Sequence, residues 1–294
     1  MASRQQGVLR PSLYRFKLGG FEVTSILDGV AQRDGLHPNF GGNDTAEAVQ
    51  ALAQANHLPP DRFEHTFVPA LVDTGSELIL FDTGNGQARR GAGLGNLRPL
   101  LGEAGYHPED IDVVVITHGH ADHIGGLLED GEAAFPSARY VFGRREFEAW
   151  TKNQNIPEAR RDNREMFMKV AVPFGNQATF VDPGDEVAPG IRAVEAYGHS
   201  LGLMAYMIES EGQCLLLMSD VSNHYVVSLQ RPEWHVFHDD DKETAVATRK
   251  RILDMVATDR LWVHGHHMPF PSVGLVEKTR DGYRWVPASY QLNL

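Results

Sequence analysis

A layered α/β domain is what this sequence predicts, on three observations. Short apolar, β-branched runs take turns with helical patterns along most of the chain. The run IDVVVITH (111–118) is apolar without alternation, as a strand buried on both faces requires. No low-complexity tract, linker or internal repeat interrupts the pattern. With 294 residues, 42% hydrophobic and 22% charged, the chain reads as a single domain, 1–294, in which residues 1–65 form an N-terminal extension packing on the rest.

The elements follow in order. FEVTSILDG (21–29) reads as a strand. DTAEAVQALAQANHL (44–58) reads as a helix, with Asn43 or Asp44 as N-cap and Ala48, Leu52 and Ala55 on its apolar face. From Thr66 the texture changes, and TFVPALVDTGSELILFDTGNG reads as a hairpin turned at Thr74-Gly75-Ser76. A helix at 94–104 leads into the buried strand 111–118. Further strands are expected at 191–199, 203–210, 213–220 and 259–266, with helices at about 144–152, 158–171 and 242–257. The last helix opens with HDDDKET, whose acids suit the positive end of a helix dipole.

Composition excludes several classes. A formal net charge of -12 and the lack of any Lys/Arg-rich run argue against nucleic acid as a partner. The lone cysteine, Cys214, leaves no disulfide within the chain and reads as an inert thiol. No window approaches the roughly 18–20 apolar residues of a membrane span, and the first residues hold no apolar stretch of signal-peptide length. A soluble, cytoplasmic protein acting on a small-molecule substrate, with no membrane or nucleic-acid partner, is the expectation; a homodimer stays open.

The chemistry sits in ITHGHADHIGG (116–126), where His118, His120, Asp122 and His123 arrive within six positions at a strand's end. Residues i and i+2 of an extended segment point the same way, so His118 and His120 can grip one ion together. Asp122 and His123 fall in the turn beyond, where the chain can fold over a second ion. Imidazole and carboxylate without thiolate suit Zn, Mn, Fe or Co. Further ligands are expected at other strand ends, because α/β sheets collect sites along one edge. His199, Asp220 and the cluster His264, His266, His267 stand at such ends.

The residues LILFDTGNG, THGHADHIGG, GHS (198–200), SD (219–220) and HMPFP resemble the metallo-β-lactamase superfamily, from about Phe21 to the C-terminus. FPSARYVFGRREFEAW (135–150), LQRPEWHVFHDDD (229–241) and HMPFPSVG (267–274) are similar to segments of its branch of methyl parathion hydrolases, lactonases and esterases. The resemblance implies an αββα four-layer sandwich holding two divalent metal ions, zinc foremost. It implies His118, His120 and His199 around the first ion, Asp122, His123 and His267 around the second, and Asp220 bridging. His267 is selected because the family's ligand directly precedes x-P-F-P; His266 is the alternative, since a one-residue shift would exchange the two.

What the resemblance implies for chemistry is a bridging hydroxide that opens lactones or cleaves carboxylic esters, with Asp122 and Asp220 as the carboxylates of the reaction. The alternatives are phosphotriester hydrolysis and a non-catalytic metal-binding protein on the same scaffold. His120 stands where the superfamily's di-iron redox members carry Glu, which favours hydrolysis. The two Asp-Thr-Gly triplets at Asp73 and Asp82 lie on consecutive strands of one hairpin and cannot form an aspartic-protease dyad. Asp82 is a candidate to orient an imidazole. Pocket walls are expected from Leu36, Phe40, His224, Tyr225 and Phe270, while His57, His65, His107, His235 and His238 read as surface or capping residues.

Overall fold

The computed structural model describes residues 9–288 and 292–294. Two seven-stranded sheets form its centre. The first runs in the order Leu13–Leu18, Phe21–Ile26, Ala70–Asp73, Leu78–Phe81, Val113–Ile116, Arg139–Gly143, Thr179–Val181. The second runs Glu186–Ala188, Ile191–Glu195, Met204–Ser210, Gln213–Leu217, Trp262–His264, Val273–Lys278, Tyr283–Pro287.

Alternation explains why the central strands read as unbroken apolar runs. Val113 and Val115 face the second sheet, packing with Ile79, Phe81, Tyr206 and Leu217. Their neighbours Val114 and Ile116 face outward, onto a layer that includes Leu97, Leu101, Trp150 and Phe167 from the helices Leu97–Ala104, Arg144–Lys152 and Arg161–Val170. The outer face of the second sheet, with Ala205, Leu216 and Val263, packs on Ile252, Leu253 and Val256 of the helix Lys242–Thr258. Helix, sheet, sheet, helix is the four-layer αββα sandwich of metallo-β-lactamases.

Residues 9–67 do more than cover this body. LYRFKL and FEVTSI pair antiparallel and add two strands to the first sheet through Phe21–Ile26 on Ala70–Asp73. Gly29–Asp34 and Arg62–Phe67 form a separate two-stranded ribbon. Between them, the helix Ala46–Ala55 is capped by Thr45, not Asn43 or Asp44: Thr45 Oγ1 accepts from the Ala48 N–H at 3.2 Å, while Asp44 turns back to accept from the Thr45 N–H. This helix and the ribbon bury Leu36, Phe40, Val49 and Phe63 against Val226, Trp234 and Val236. Among the described residues, no helix is long and apolar enough to cross a membrane.

Strand direction collects the chemistry. Leu78–Phe81, Val113–Ile116 and Arg139–Gly143 run parallel in the first sheet. In the second, Gln213–Leu217 runs parallel to Trp262–His264, and Ile191–Glu195 shares that direction because both it and Gln213–Leu217 oppose Met204–Ser210. Asp82, His118, His199, Asp220 and His267 all follow the C-terminal ends of these strands.

Candidate metal centre

Three overlapping groups of buried donors converge at that edge. His118, His120 and His199 offer nitrogens within 4.8 Å of one another, as do the ligand atoms of Asp122, His123, His266 and His267. His118, His123 and Asp220 form a third group at the same spacing, so Asp220 lies between the other two.

The loops that carry these side chains are shaped by their neighbours. Gly198 sits at φ +126, and a Cβ there would meet the Ala245 backbone nitrogen at 2.2 Å; glycine lets the loop of His199 press onto the start of the helix Lys242–Thr258. Gly126 approaches the Thr83 carbonyl so closely that a Cβ would lie 2.1 Å from it. Asp82 (φ 63) and Ser219 (φ 49) adopt left-handed backbone at the ends of two strands, a conformation non-glycine residues hold only when their surroundings over-determine it.

Each imidazole is fixed through its second nitrogen. His120 Nε2 donates to Asp240 Oδ2 at 3.2 Å, leaving Nδ1 inward. His199 Nδ1 donates to Asp239 Oδ1 at 2.9 Å, leaving Nε2 inward, and the two inward nitrogens lie 3.0 Å apart. His123 Nδ1 donates to Asp82 Oδ2 at 2.7 Å, and His267 Nδ1 to the Thr66 carbonyl at 2.7 Å. His118 Nδ1 meets Thr117 Oγ1 at 3.1 Å, whose hydroxyl donates to Asp82. Carboxylates and carbonyls only accept, so these partners set the tautomers.

The donor set fits divalent ions. Nε2 of His118, Nε2 of His123, Nε2 of His266 and Oδ1 of Asp220 are buried without a hydrogen-bond partner among the described residues. His120 Nδ1 and His199 Nε2 face each other at 3.0 Å, a contact that needs either a proton on His199 Nε2 or a metal ion in its place. Nitrogen and oxygen donors without sulfur suit zinc and other borderline ions.

Electrostatics agree. Burial drives His118 well below its ordinary range and takes His120 down to about 3, so both stay neutral. Burial opposes charging His123 and His199 too, but Asp220 with Asp82 and Asp239 outweighs it, lifting His199 to about 9. Burial would raise the Asp220 carboxyl, but His267, His123 and His199 outweigh it and hold it ionised.

Several residues that build this site were not legible in the sequence. Of the acids in HDDDKET, only Asp241 caps the helix, its carboxylate accepting from the Thr244 N–H at 3.1 Å. Asp239 joins His199 to Arg249, whose Nη2 donates to Asp239 Oδ2 at 2.7 Å. Arg249 is fully buried; it also donates to the carbonyls of Val221, Pro232 and Trp234. Asp240 joins His120 to Arg160 Nε at 2.7 Å.

Glu146 ties two ligand loops together. It accepts from Gly119 N, Trp150 Nε1 and Gly202 N, each at 2.7 Å, and from Ser200 Oγ. Gly119 lies between His118 and His120, and Ser200 follows His199. Burial pushes the Glu146 carboxyl up, and the four donors pull it part of the way back. Asn163 adds a second clamp, accepting from Ala121 N and donating to the Gly119 carbonyl at 2.7 Å. The only sequence signal for Glu146 was its place in a segment similar to the family's.

Two cavities meet at His267. One, of about 270 Å³, is lined by Asp122, His120, His199, Asp220 and Arg160. The second, of about 610 Å³, is lined by Leu36, Phe63, His224, Tyr225 and Phe270. Phe40 is corrected: it is buried beneath this wall, its ring 5.4 Å from His224, and packs instead of lining. His65 and His238 are corrected as well. Both line the smaller cavity, and His65 lies edge-on to His267 at 4.0 Å because its ribbon strand crosses the site.

The cluster near the C-terminus separates by geometry. His264 ends a strand and is buried, with neither nitrogen partnered among the described residues. The chain then turns, so His266 and His267 both reach the centre: His266 lies on His123 at 4.1 Å, and His267 Nε2 reaches Asp220 Oδ2 at 2.9 Å and Asp122 Oδ2 at 3.5 Å.

Comparison with known proteins gives the same architecture. The N-acyl homoserine lactonase of Bacillus cereus is 26% identical over 161 residues, 55% of this chain and 57% of that protein; the match thus spans little more than half of its length. Metallo-beta-lactamase domain-containing protein 1 of Mus musculus is 50% identical over 120 residues, 40% of this chain and 44% of that protein. The solved structure of AidC, a dizinc quorum-quenching lactonase in complex with a product, superimposes with a TM-score of 0.89 at 24% identity, covering 95% of this chain and 98% of AidC. The hydrolase AbOPH superimposes with a TM-score of 0.87, also at 24% identity, covering 97% of this chain and all (100%) of AbOPH. Residues 70–266 match the family model of the metallo-beta-lactamase superfamily, and with its donors gathered at the edge of an αββα sandwich the chain belongs to that superfamily.

Proposed function

We propose that this protein is a dinuclear metallohydrolase that opens lactones or cleaves carboxylic esters. The observation that carries the reading is the convergence of His118, His120, His199, Asp122, His123, His267 and Asp220, with the histidines' outer nitrogens held by fixed partners. His118, His120 and His199 would hold one ion, Asp122, His123 and His267 the other, and Asp220 would span both. Zinc is the ion best suited to these donors. His267 is preferred over His266 because its Nδ1–H is held by Thr66 while Nε2 points to both carboxylates.

Two divalent ions supply acidification of a water and polarisation of the scissile carbonyl. The chain supplies the rest. Asn223 Nδ2 donates to Asp220 Oδ2 at 3.0 Å and keeps that carboxylate from rotating. Asp122, its side chain 22% exposed where Asp220 is 3%, can take up a proton from the cavity and pass it to the departing alkoxide. The apolar wall of Leu36, Phe63 and Phe270 receives the acyl side and excludes water from it. The lactonase relatives act as their names say, and that supports the same substrate class here.

The test is elemental analysis of the purified protein, followed by kcat/KM on N-acyl homoserine lactones, simple γ-lactones, aryl esters and an aryl phosphotriester. The expected result is about two metal ions per chain and a preference for the lactones or esters. Absence of transition metal after reconstitution would sink the mechanism; a phosphotriester ranked first would move the substrate assignment.

A further inference from the structure

His224 is an unusual wall for a largely apolar cavity. Its ring is buried, with Tyr225 stacked on it at 4.8 Å and 10°, and with the rings of Phe40 and Phe63 edge-on at 5.4 and 6.0 Å. That packing leaves the imidazole one orientation. Nδ1 then accepts from the Val226 N–H at 3.1 Å and, less directly, from the Val227 N–H at 3.4 Å. A nitrogen that accepts from backbone amides carries no proton, so in the neutral ring the proton resides on Nε2. Burial keeps the ring neutral, pulling it down to about 3.

The hydrogen bonds of this ring among the described residues all fall on Nδ1, and the ring lines the cavity that opens beside His267, so Nε2–H is left to face that cavity. A donor fixed in direction on a wall shared with Leu36, Phe63 and Phe270 offers one directed hydrogen bond to a ligand in that cavity, and a ligand with no acceptor there displaces water without replacing its bond. Thr66, on the same wall, has already spent its hydroxyl proton on the Met268 carbonyl at 2.9 Å.

We infer that His224 is a specificity-determining residue whose Nε2–H binds an acceptor oxygen on the acyl side of the substrate, which matches the site to N-acylated lactones over plain ones. The inference rests on the hydrolytic reading of the metal centre, because that reading sets which end of the substrate enters this cavity. The donor cannot turn to follow a different ligand, since Tyr225 stacks on its ring, Phe40 and Phe63 pack against it edge-on, and its tautomer is set by two backbone amides. The amide carbonyl of an N-acyl group, its carbon two bonds from the lactone ring, is the acceptor that such a donor selects; a plain alkyl lactone leaves the donor bare.

The experiment uses the zinc-reconstituted full chain. kcat/KM is measured for N-hexanoyl homoserine lactone and for a γ-alkyl lactone of similar length, in wild type, His224→Phe, His224→Gln and Tyr225→Phe. The expected result is that His224→Phe lowers the ratio of the two values by about tenfold, the factor carried by one ordinary hydrogen bond. His224→Gln, which can keep both an acceptor and a donor, recovers part of the ratio. An unchanged ratio, or a loss carried instead by Tyr225→Phe, overturns the assignment.

A second readout does not depend on turnover. In long-range ¹H–¹⁵N spectra of wild type, the His224 nitrogens are expected to report an unprotonated Nδ1 and a protonated Nε2, and ring-opened N-hexanoyl-homoserine is expected to shift that Nε2–H. The opposite tautomer, or no shift at saturation, overturns the proposal. If neither lactone is turned over but the shift occurs, the hydrolytic reading fails and the donor stands. If turnover occurs without the shift, the donor fails alone.

Discussion

Replacing Asp239 by Asn tests how the metal centre is tied to the fold. Asp239 is buried between His199 Nδ1 at 2.9 Å and Arg249 Nη2 at 2.7 Å, and Arg249 is 0% exposed. An amide oxygen can serve one of these donors, and its NH₂ then opposes the other. Arg249 keeps three carbonyl acceptors but loses the one carboxylate paired with it among the described residues. Breaking a buried pair from one side costs about 3–5 kcal/mol, and loosening a ligand histidine costs about 10–100-fold in metal affinity.

Urea unfolding of the metal-free protein measures the first quantity, and competition against a chelator measures the second. Arg249→Met combined with Asp239→Asn removes the stranded charge. The double variant is expected to be more stable than the sum of the single losses by at least about 1 kcal/mol. The pH dependence has a definite sign. Burial alone would raise the Asp239 carboxyl, but Arg249 and His199 outweigh it and hold it below the usual carboxylate range. Its contribution is therefore complete above the ordinary carboxylate pKa and fades as pH falls through the lowered value. The gap between wild type and Asp239→Asn should narrow in acid. A loss under about 1 kcal/mol, additive double variants, or a gap that widens in acid would refute the reasoning.

Two further outcomes are expected. His267→Ala should lose metal at one position and abolish hydrolysis, whereas His266→Ala, which removes a ring packed on His123, should retain both ions with affinity reduced by at most about tenfold; metal analysis with the reverse pattern exchanges the two assignments. Glu146→Gln should cost about 1–3 kcal/mol, because its amide must face one of four donors that now meet a carboxylate. It should weaken the ion held by His118, His120 and His199 before the other, and equal weakening of both ions would contradict its role in aligning those loops.

Much of the scaffold was open to reading because the central strands are buried on both faces. Runs such as VVVI and LILF have one reading when every side chain is apolar and β-branched or bulky, and the turn at Thr74-Gly75-Ser76 closes the hairpin where its residues require. The strands without such a run carry charge. LYRFKL alternates Arg15 and Lys17 with Phe16 and Leu18, the pattern of an edge strand half-open to water, and the ribbon strands Gly29–Asp34 and Arg62–Phe67 are just as polar on one side. Near the site, His118, His120, Asp122 and His123 stood out because their spacing is local.

By itself, the sequence determined a layered α/β domain and the cluster of nitrogen and oxygen donors at strand ends, since periodicity and short-range spacing are written along the chain; the four-layer order followed from the family resemblance of its motifs. Only the tertiary structure decided what holds those donors. Asp239 and Asp240 are two of three consecutive acids, chemically alike and adjacent; whether one caps a helix or orients an imidazole depends on where His199, His120, Arg249 and Arg160 arrive from distant segments. The same holds for Glu146, whose partners lie 4 to 56 residues away, and for the meeting of His266 and His267 at one centre, which follows from a turn after His264. A hydrogen bond depends on position in space to within a few tenths of an ångström, and no local pattern along a chain carries that information.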